Sequence, residues 1–163
     1  MHLRRRALLA AAAAATTASL TGCDLDSDPK DPPFDPSGDA LMPLLAGAVA
    51  LRDRYGEVLT AFPALQDRLG PLKDDHAQHV VALAREIGLP EQGPFPAVSG
   101  SAAAPGSTAP VPGDQAAVLA DLAKLEKDGR RDAEAACLAA PSYRAALLGS
   151  IAACRAGHGE VLA

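Results

Sequence analysis

The sequence predicts an all-α protein: an antiparallel four-helix bundle in which two helical hairpins are joined by a long crossover loop. Three observations predict this fold. Apolar residues recur at alternating spacings of three and four in four segments, which is the period of an amphipathic helix. Short turns that contain proline separate the first segment from the second and the third from the fourth, as in helical hairpins. A stretch rich in Pro, Gly, Ser and Ala separates the two pairs, and no strand pattern competes.

The first hairpin is predicted from helices over residues 40–62 and 64–88. Asp39 is a suitable N-cap for the first helix, and Pro63 separates the two helices. Gly88 followed by Pro90 is typical of a helix end. The inward stripe of the first helix comprises Leu41, Leu44, Ala48, Leu51, Tyr55, Val58 and Phe62. The stripe of the second comprises Leu65, Leu69, Leu72, His76, His79, Leu83 and Ile87.

The crossover is predicted over residues 89–113, where charge is almost absent, and is interpreted as a flexible connection. Asp114 begins a third helix, predicted over 114–139, whose stripe is weaker because Gly129 interrupts it. Pro141 precedes a fourth helix over 142–162. Its predicted inward residues are Tyr143, Leu147, Ile151, Cys154, His158 and Val161. Two hairpins joined by one long crossover have the connectivity of ferritin-like four-helix bundles.

The N-terminal residues predict export and lipid attachment. Three arginines, Arg4–Arg6, precede an apolar run, Ala7–Leu20, that is short for a transmembrane helix. The sequence Leu20-Thr21-Gly22-Cys23 then has the form of a lipobox, with cleavage expected between Gly22 and Cys23. The arginine cluster and the Gly-Cys ending argue against an uncleaved anchor or a cytosolic Ala-rich helix. The pattern leaves open whether export uses the Sec or the twin-arginine route.

This leader resembles a bacterial lipoprotein signal peptide. The resemblance implies that residues 1–22 are removed, that Cys23 is lipidated with chains such as palmitate, and that the protein lies on the extracytoplasmic face of the cell membrane. Residues 23–39 are then a flexible, acidic and Pro-rich tether, and residues 40–163 are the bundle.

The charge balance limits the classes of partner. The whole chain carries 15 Lys and Arg against 20 Asp and Glu, and cleavage would remove three of the arginines. Nucleic-acid binding relies on clustered basic residues, so this acidic chain is not expected to bind nucleic acid. The expected partners are the membrane, through the lipid anchor, and an unidentified protein.

Three segments are informative when taken together: Arg54-Tyr55 through Phe62-Pro63-Ala64-Leu65, Asp75-His76-Ala77-Gln78-His79, and Leu147-Leu148-Gly149-Ser150-Ile151-Ala152-Ala153 leading to His158. With these segments, the chain from about Leu41 to the C-terminus resembles the ferritin-like lipoproteins of high-GC actinobacteria. The resemblance implies a ferritin-like fold and a membrane location. It implies no particular activity.

A ferritin-like di-metal centre requires a Glu from each of two helices and a Glu-x-x-His pair from each of the other two. This chain has His76-x-x-His79 and Arg155-x-x-His158 in place of those pairs, and Glu126 is the one matching carboxylate. The level of the first helix predicted to face them holds Ala48, Leu51 and Arg52. This set is too poor in carboxylates to hold two ferrous ions easily.

Two interpretations remain for the inward histidines, which are His76, His79 and His158. In the first, these histidines, with Glu126 or Cys154, bind a single divalent metal ion: zinc, copper or iron. In the second, the imidazoles are hydrogen-bonded core groups, and Arg155 pairs with Glu126 where a metal would otherwise lie. The second is favoured because a permanent positive charge beside a divalent cation is costly in a low-dielectric core.

Cys137 and Cys154 are the two thiols left once Cys23 is lipidated, and they are a candidate disulfide in an exported protein. If the last two helices turn near Pro141, however, the two Cα atoms are offset by roughly 15 Å along the helices, against a limit near 7 Å for a disulfide. This geometry favours two free cysteines.

The remaining motifs do not indicate an enzyme. The sequence contains no Gly-rich phosphate loop, nucleophile elbow or Cys-x-x-Cys pair, and 3% of its residues are aromatic. We therefore predict a membrane-anchored lipoprotein that acts as a non-enzymatic binding or interaction module with a degenerate ferritin-like site. The alternatives are an extracytoplasmic metal-binding or redox protein that uses the inward histidines, and an envelope structural protein.

Overall fold

A computed structural model of the protein describes residues 35–95 and 110–163. These residues form four α-helices and no strand: α1 (Met42–Ala61), α2 (Gln66–Ile87), α3 (Gln115–Ala139) and α4 (Ser142–Leu162). Short 3-10 turns, Pro36–Gly38 and Pro63–Leu65, precede α1 and α2. The predicted all-helical, four-helix character is confirmed for this part of the chain. None of its helices combines the length and the hydropathy that crossing a bilayer requires.

Several predictions concern residues outside the described ranges. They are the signal peptide over residues 1–22, the cleavage between Gly22 and Cys23, the lipidation of Cys23, and the tether up to residue 34. Of the crossover, residues 89–95 and 110–113 are described and residues 96–109 are not.

The helix ends differ from the predicted ends by at most two residues. The backbone N–H of Leu41 donates to the Asp39 carboxylate over 2.8 Å, and α1 begins only afterwards, with Pro43 in its first turn. The start of α2 is delayed because Pro63–Leu65 forms a 3-10 turn. Gly88 caps α2 in the left-handed conformation, with a φ of 81°, which glycine adopts without steric cost. Asp114 caps α3 by accepting a 2.9 Å hydrogen bond from the N–H of Ala117.

Two apolar clusters form the core. The first contains Leu41 directly before α1, Met42, Leu45 and Ala48 of α1, Val80, Leu83, Ala84 and Ile87 of α2, Ala133 of α3, and Leu148, Ile151 and Ala152 of α4. The second contains Leu51, Tyr55, Val58, Leu65, Leu69, Leu72, Val118, Leu122, Leu125 and Leu162. The described ends of the crossover pack on different clusters, with Phe95 on the first and Val111 on the second.

The buried face of α4 agrees with the predicted one only in part, since Ile151 and His158 are buried as predicted. Tyr143 is 68% exposed and Val161 is 42% exposed, although both were expected to face inward. The buried residues of this helix are Leu148, Ile151, Ala152, Arg155, His158 and Leu162. The prediction followed the larger apolar side chains, whereas the bundle buries a small alanine and a charged arginine. Close packing and hydrogen bonding therefore determine the inward face of α4 more than hydropathy does.

Arg54 and Arg144 form ion pairs between helices. Arg54 of α1 is 2% exposed and forms a 2.9 Å ion pair with Asp121 of α3. Arg144 near the start of α4 pairs with Asp39 over 2.9 Å and with Glu86 of α2 over 3.1 Å. Because Arg54 is nearly inaccessible to water, its pair contributes more to the position of α3 than an exposed pair would.

Candidate functional site

A polar layer draws on all four helices and lies, along α2, α3 and α4, between residues of the two apolar clusters. It consists of Tyr55 from α1, His76 from α2, Glu126 from α3, and Arg155 and His158 from α4, which we call the Glu126 network. Each of these side chains is buried, and Glu126 and His76 are wholly inaccessible to solvent. A buried carboxylate persists only when donors surround it, so the contacts of Glu126 determine what this layer can do.

Both carboxylate oxygens of Glu126 are engaged by donors of the chain itself. Oε1 lies 2.8 Å from the Tyr55 hydroxyl, 2.7 Å from Nε2 of His76 and 3.0 Å from Nδ1 of His158. Oε2 lies 3.2 Å from Nε of Arg155. An ionised carboxylate can only accept hydrogen bonds, so each of these groups donates to it. This requirement places a proton on Nε2 of His76 and on Nδ1 of His158.

The contacts keep the Glu126 carboxyl ionised. Burial alone would raise its pKa, but the hydrogen bonds from His158 and His76 and the charge of Arg155 outweigh burial and lower the pKa far below the usual range. Burial raises the pKa of the Tyr55 hydroxyl, and the negative charge of Glu126 raises it further. Glu126 is therefore an anion at neutral pH and Tyr55 a protonated donor.

The three histidines differ in their tendency to be charged. Burial lowers the pKa of His76, even though Glu126 acts in the opposite direction. Burial, together with the positive charges of neighbouring groups, lowers the pKa of His79 to about 4. Burial also opposes the charge of His158, but its hydrogen bonds to Glu126 and Asp75 outweigh burial and raise its pKa. At neutral pH His76 and His79 are neutral, and His158 is the histidine most readily protonated.

His79 is not a member of the Glu126 network. Its ring meets the ring of His76 edge-on, with centroids 5.6 Å apart, and among the described residues it forms no hydrogen bond to Glu126. The Nδ1 atoms of His76 and His79 are both buried and lack a hydrogen-bond partner within the same residues. Of the predicted metal-binding set, the structure thus joins His76, Glu126 and His158 directly and places His79 beside them.

Asp75, Cys154 and His158 form a second group at the edge of the network, which we call the Asp75–Cys154–His158 cluster. Oδ2 of Asp75 lies 3.1 Å from Nε2 of His158 and 3.8 Å from the Cys154 sulfur, and that sulfur lies 3.3 Å from the same Nε2. Burial and the negative charges of Asp75 and Glu126 raise the pKa of the Cys154 thiol. Asp75 was not predicted as a site residue, because it lies beside the apolar stripe of α2.

The candidate disulfide partners are both free thiols. Cys137 is half-buried, and its thiol donates to the carbonyl oxygen of Ala145 over 3.3 Å. Cys154 is half-buried beside Asp75 and His158. The two cysteines therefore have different surroundings, and one of them belongs to a polar site.

Within residues 35–95 and 110–163, two groups of three side chains bring candidate metal-ligand atoms within 4.8 Å of one another: His76, Glu126 and His158, and Asp75, Cys154 and His158. The first group does not fit the di-metal centre that a ferritin-like fold implies. Both oxygens of Glu126 already accept hydrogen bonds, and the permanent charge of Arg155 lies against one of them. At this level α1 contributes Tyr55 rather than the predicted Ala48, Leu51 or Arg52, and a tyrosine hydroxyl does not replace a bridging carboxylate.

Gly129 provides the space that Arg155 occupies. A Cβ atom at position 129 would overlap the guanidinium of Arg155, so Gly129→Ala must shift this group, and we expect the shift to break its hydrogen bond to Glu126. The lost hydrogen bond to a charged group is worth about 1.5–3 kcal/mol, which exceeds the gain of about 1 kcal/mol of Ala over Gly in a helix. We expect the free energy of unfolding, measured with urea, to fall by about 0.5–2 kcal/mol.

Gly157→Ala in α4 is the matched control. Gly157 is exposed, and an added Cβ would have no atom within 4 Å. This variant should be more stable than the wild type by up to about 1 kcal/mol. If Gly129→Ala were stabilised to the same degree, the close contact of Arg155 with this backbone would be refuted.

Comparison with known proteins adds no assignment. No protein-family model matches the chain, and no curated protein or solved structure matches it. The contacts of the Glu126 network and of the Asp75–Cys154–His158 cluster are therefore the basis for inferring function.

Proposed function

We propose that the protein is a lipoprotein anchored to the extracytoplasmic face of a membrane, with a helical domain that acts as a non-enzymatic binding module. The location is supported by the leader, in which Arg4–Arg6, an apolar run and the lipobox Leu20–Cys23 follow in the order of a lipoprotein signal. Each buried methylene of an attached lipid contributes about 0.8 kcal/mol, so two or three acyl chains suffice for stable anchoring.

The domain has the antiparallel, ferritin-like arrangement in this proposal. The first apolar cluster combines the first half of α1 with the second half of α2, and the second cluster combines the opposite halves. In α3 and α4, too, the end of one helix packs with the start of the other. Ala133, late in α3, shares a cluster with Leu148, early in α4, and Val118, early in α3, shares a cluster with Leu162 at the end of α4. The two described ends of the crossover pack on different clusters, which supports a connection that runs the length of the bundle.

The observation that carries the non-enzymatic assignment is the saturation of Glu126. Tyr55, His76, His158 and Arg155 take up both oxygens of the one inward carboxylate. The position that a catalytic di-metal centre would need is thus an internal ion-pair network. Its role is structural, since a buried carboxylate that accepts hydrogen bonds from three other helices specifies how four helices fit together.

The anchoring is tested by Cys23→Ala in cells that express the full chain. We expect the wild-type protein to sediment with membranes and to resist an alkaline wash, because the acyl chains hold it there. The variant cannot receive diacylglycerol and is expected to appear in the soluble fraction or to retain its leader. Cys137→Ala removes a different thiol and should fractionate like the wild type. A Cys23→Ala protein that is processed and stays in the washed membranes would refute the lipid anchor.

A further inference from the structure

The Asp75–Cys154–His158 cluster combines three kinds of metal ligand. Cys154 and His158 lie one turn apart on α4, and Asp75 approaches them from α2. Carboxylate, thiolate and imidazole are the three side-chain groups that bind zinc most often. A carboxylate, a thiol and an imidazole in mutual contact indicate a metal site more specifically than a single cysteine or several surface carboxylates would.

The spacing of the three atoms suits one tetrahedral ion. The distances among Oδ2 of Asp75, Nε2 of His158 and the Cys154 sulfur are 3.1, 3.3 and 3.8 Å. An ion with bonds of about 2.0–2.1 Å to N and O and about 2.3 Å to S would separate its ligand atoms by about 3.3–3.6 Å. Shifts of a few tenths of an ångström would therefore place all three atoms around a single ion.

The Glu126 network supports this site from the inner side. Nδ1 of His158 donates to Glu126 over 3.0 Å, which leaves Nε2 pointing to Asp75 and Cys154. A carboxylate that holds the far nitrogen of a histidine is the usual outer partner of a metal-bound imidazole, because it fixes the ring and increases its basicity. Arg155 in turn holds the other oxygen of this carboxylate.

Charge and access favour this cluster over the inner group of His76, Glu126 and His158. In the inner group Arg155 already cancels the charge of Glu126, so a dication would be buried without a compensating anion. At the outer cluster, Asp75 and a Cys154 thiolate together neutralise a dication. The Asp75 side chain is 42% exposed, whereas those of Glu126 and His76 are not exposed at all, so an ion can enter from solvent only at the outer cluster.

The same contacts also resemble a nucleophilic cysteine with its histidine base. Asp75 argues against that chemistry, because its carboxylate next to the sulfur disfavours a thiolate unless a cation is present. A bound dication reverses this effect, since it stabilises the thiolate and the carboxylate together.

We propose that Asp75, Cys154 and His158 bind one zinc ion, with solvent completing its coordination. The Cys154 thiol and Nε2 of His158 release their protons to solvent on binding, and no electron is transferred. This assignment rests on the proposed binding function and names its ligand class, a borderline divalent cation. In this assignment the Glu126 network holds the metal ligand His158 in place, so it is not a degenerate ferritin-like site without a metal.

Equilibrium dialysis of the full-length chain, purified in a mild detergent without chelators, tests the proposal. We expect one zinc ion per chain by elemental analysis. Cobalt(II) used in place of zinc should give an absorption band from thiolate-to-metal charge transfer, which reports directly on the Cys154 sulfur. Cys154→Ser should abolish this band, and Cys154→Ser and Asp75→Asn should each weaken zinc binding by at least about 10- to 100-fold, which is the loss that changing only an outer partner of a metal ligand already causes.

Cys137→Ser is the matched control, because Cys137 is the other half-buried free thiol and lies next to Ala145 instead. It should keep both the zinc stoichiometry and the cobalt band. Circular dichroism identifies any variant that fails to fold. Asp75→Asn changes a partly exposed side chain and keeps the test decisive if Cys154→Ser is unstable.

Three outcomes would overturn the proposal: no stoichiometric zinc, zinc retained fully by both Cys154→Ser and Asp75→Asn, or zinc lost in His76→Ala alone, which would place the ion in the inner group. Failure of the anchoring proposal gives a different result. A Cys23→Ala protein that stays in the membrane would leave the zinc stoichiometry unchanged, and a protein without zinc could still be anchored.

Discussion

Glu126→Gln is expected to lower the free energy of unfolding by about 3–5 kcal/mol, which is the cost of leaving one partner of a buried ion pair without its counter-charge. The amide nearly preserves the size of the side chain, so packing changes little. It cannot balance the charge of Arg155, and its NH₂ group faces donors that need an acceptor. Because small domains have a total stability of about 5–15 kcal/mol, this variant should unfold at a much lower urea concentration.

Arg155→Met separates the role of Glu126 from that of one partner. This variant leaves Glu126 with the donors Tyr55, His76 and His158, so it should cost less than Glu126→Gln. The double variant should cost less than the sum of the two single variants, because the second change removes the unpaired charge created by the first. Additive losses would show that Glu126 and Arg155 do not interact.

Glu134→Gln in α3 provides the surface control. Glu134 pairs with Arg130 over 2.7 Å, but both side chains are 48% exposed. The expected loss is below about 1 kcal/mol, since solvent screens an exposed pair. If Glu134→Gln lost as much unfolding free energy as Glu126→Gln, burial would not be the reason that the Glu126 carboxylate matters for stability.

The second large effect is expected in the pH dependence of stability. The folded-state pKa of His79 is about 4, whereas its ordinary value is 6.5. Between these values the unfolded chain binds a proton that the folded protein does not, so acidification through this range destabilises the fold. His79→Gln removes this contribution, and the loss of unfolding free energy between neutral pH and about pH 4 should shrink by about 1–3 kcal/mol.

His158 should act in the opposite direction. Its folded-state pKa is raised, so its stabilising contribution is present below the ordinary histidine pKa and is lost as the pH rises through the folded value. His158→Gln should therefore make the acid destabilisation steeper. The stabilising effect of the ionised Glu126 is lost only at lower pH, because its pKa is depressed. Urea unfolding at several pH values measures these slopes, and identical slopes for both histidine variants would refute the assignment.

The helices could be predicted well because their signals are local. The period of apolar residues and the residues Asp114, Pro141 and Gly88 lie within the helices that they define or directly beside them. The bounds of α4 agree with the prediction, and those of α1 and α2 differ because Pro43 and the 3-10 turn at Pro63 shift the first hydrogen-bonded turns.

The candidate site could be predicted only in part. Helix geometry predicts that His76, Glu126 and His158 meet, because all three have inward positions at matching heights. The same geometry predicts the pairing of Arg155 with Glu126. The contribution of Asp75 depends on how far α2 is rotated relative to α4, which a single sequence does not specify.

Buried arginines are a second feature that hydropathy patterns miss. Arg54 is charged and 2% exposed, and its partner Asp121 lies 67 residues further along the chain. A pattern of apolar residues assigns every arginine to the surface. The carboxylate of Asp121 on another helix, together with that of Glu57 on the same helix, makes burial acceptable, and the pairing with Asp121 is a property of the tertiary structure.

The Glu126 network and the proposed zinc site share His158. The network joins four helices through one ionised carboxylate, and it holds the ring of His158 so that its other nitrogen faces Asp75 and Cys154. The proposed lipid anchor and the proposed zinc site would together hold a metal ion near a membrane surface.

Nitrogen-15 NMR of the histidine rings in the full-length chain is the most direct test of the Glu126 network. In the metal-free protein at mildly acidic pH, we expect His76 to be neutral with its proton on Nε2, His79 to be neutral, and His158 to carry protons on both nitrogens. Assignment with His76→Gln, His79→Gln and His158→Gln identifies each signal. If the three rings instead titrated together near the ordinary histidine pKa, or if His76 carried its proton on Nδ1, Glu126 would not be the acceptor at the centre of the bundle.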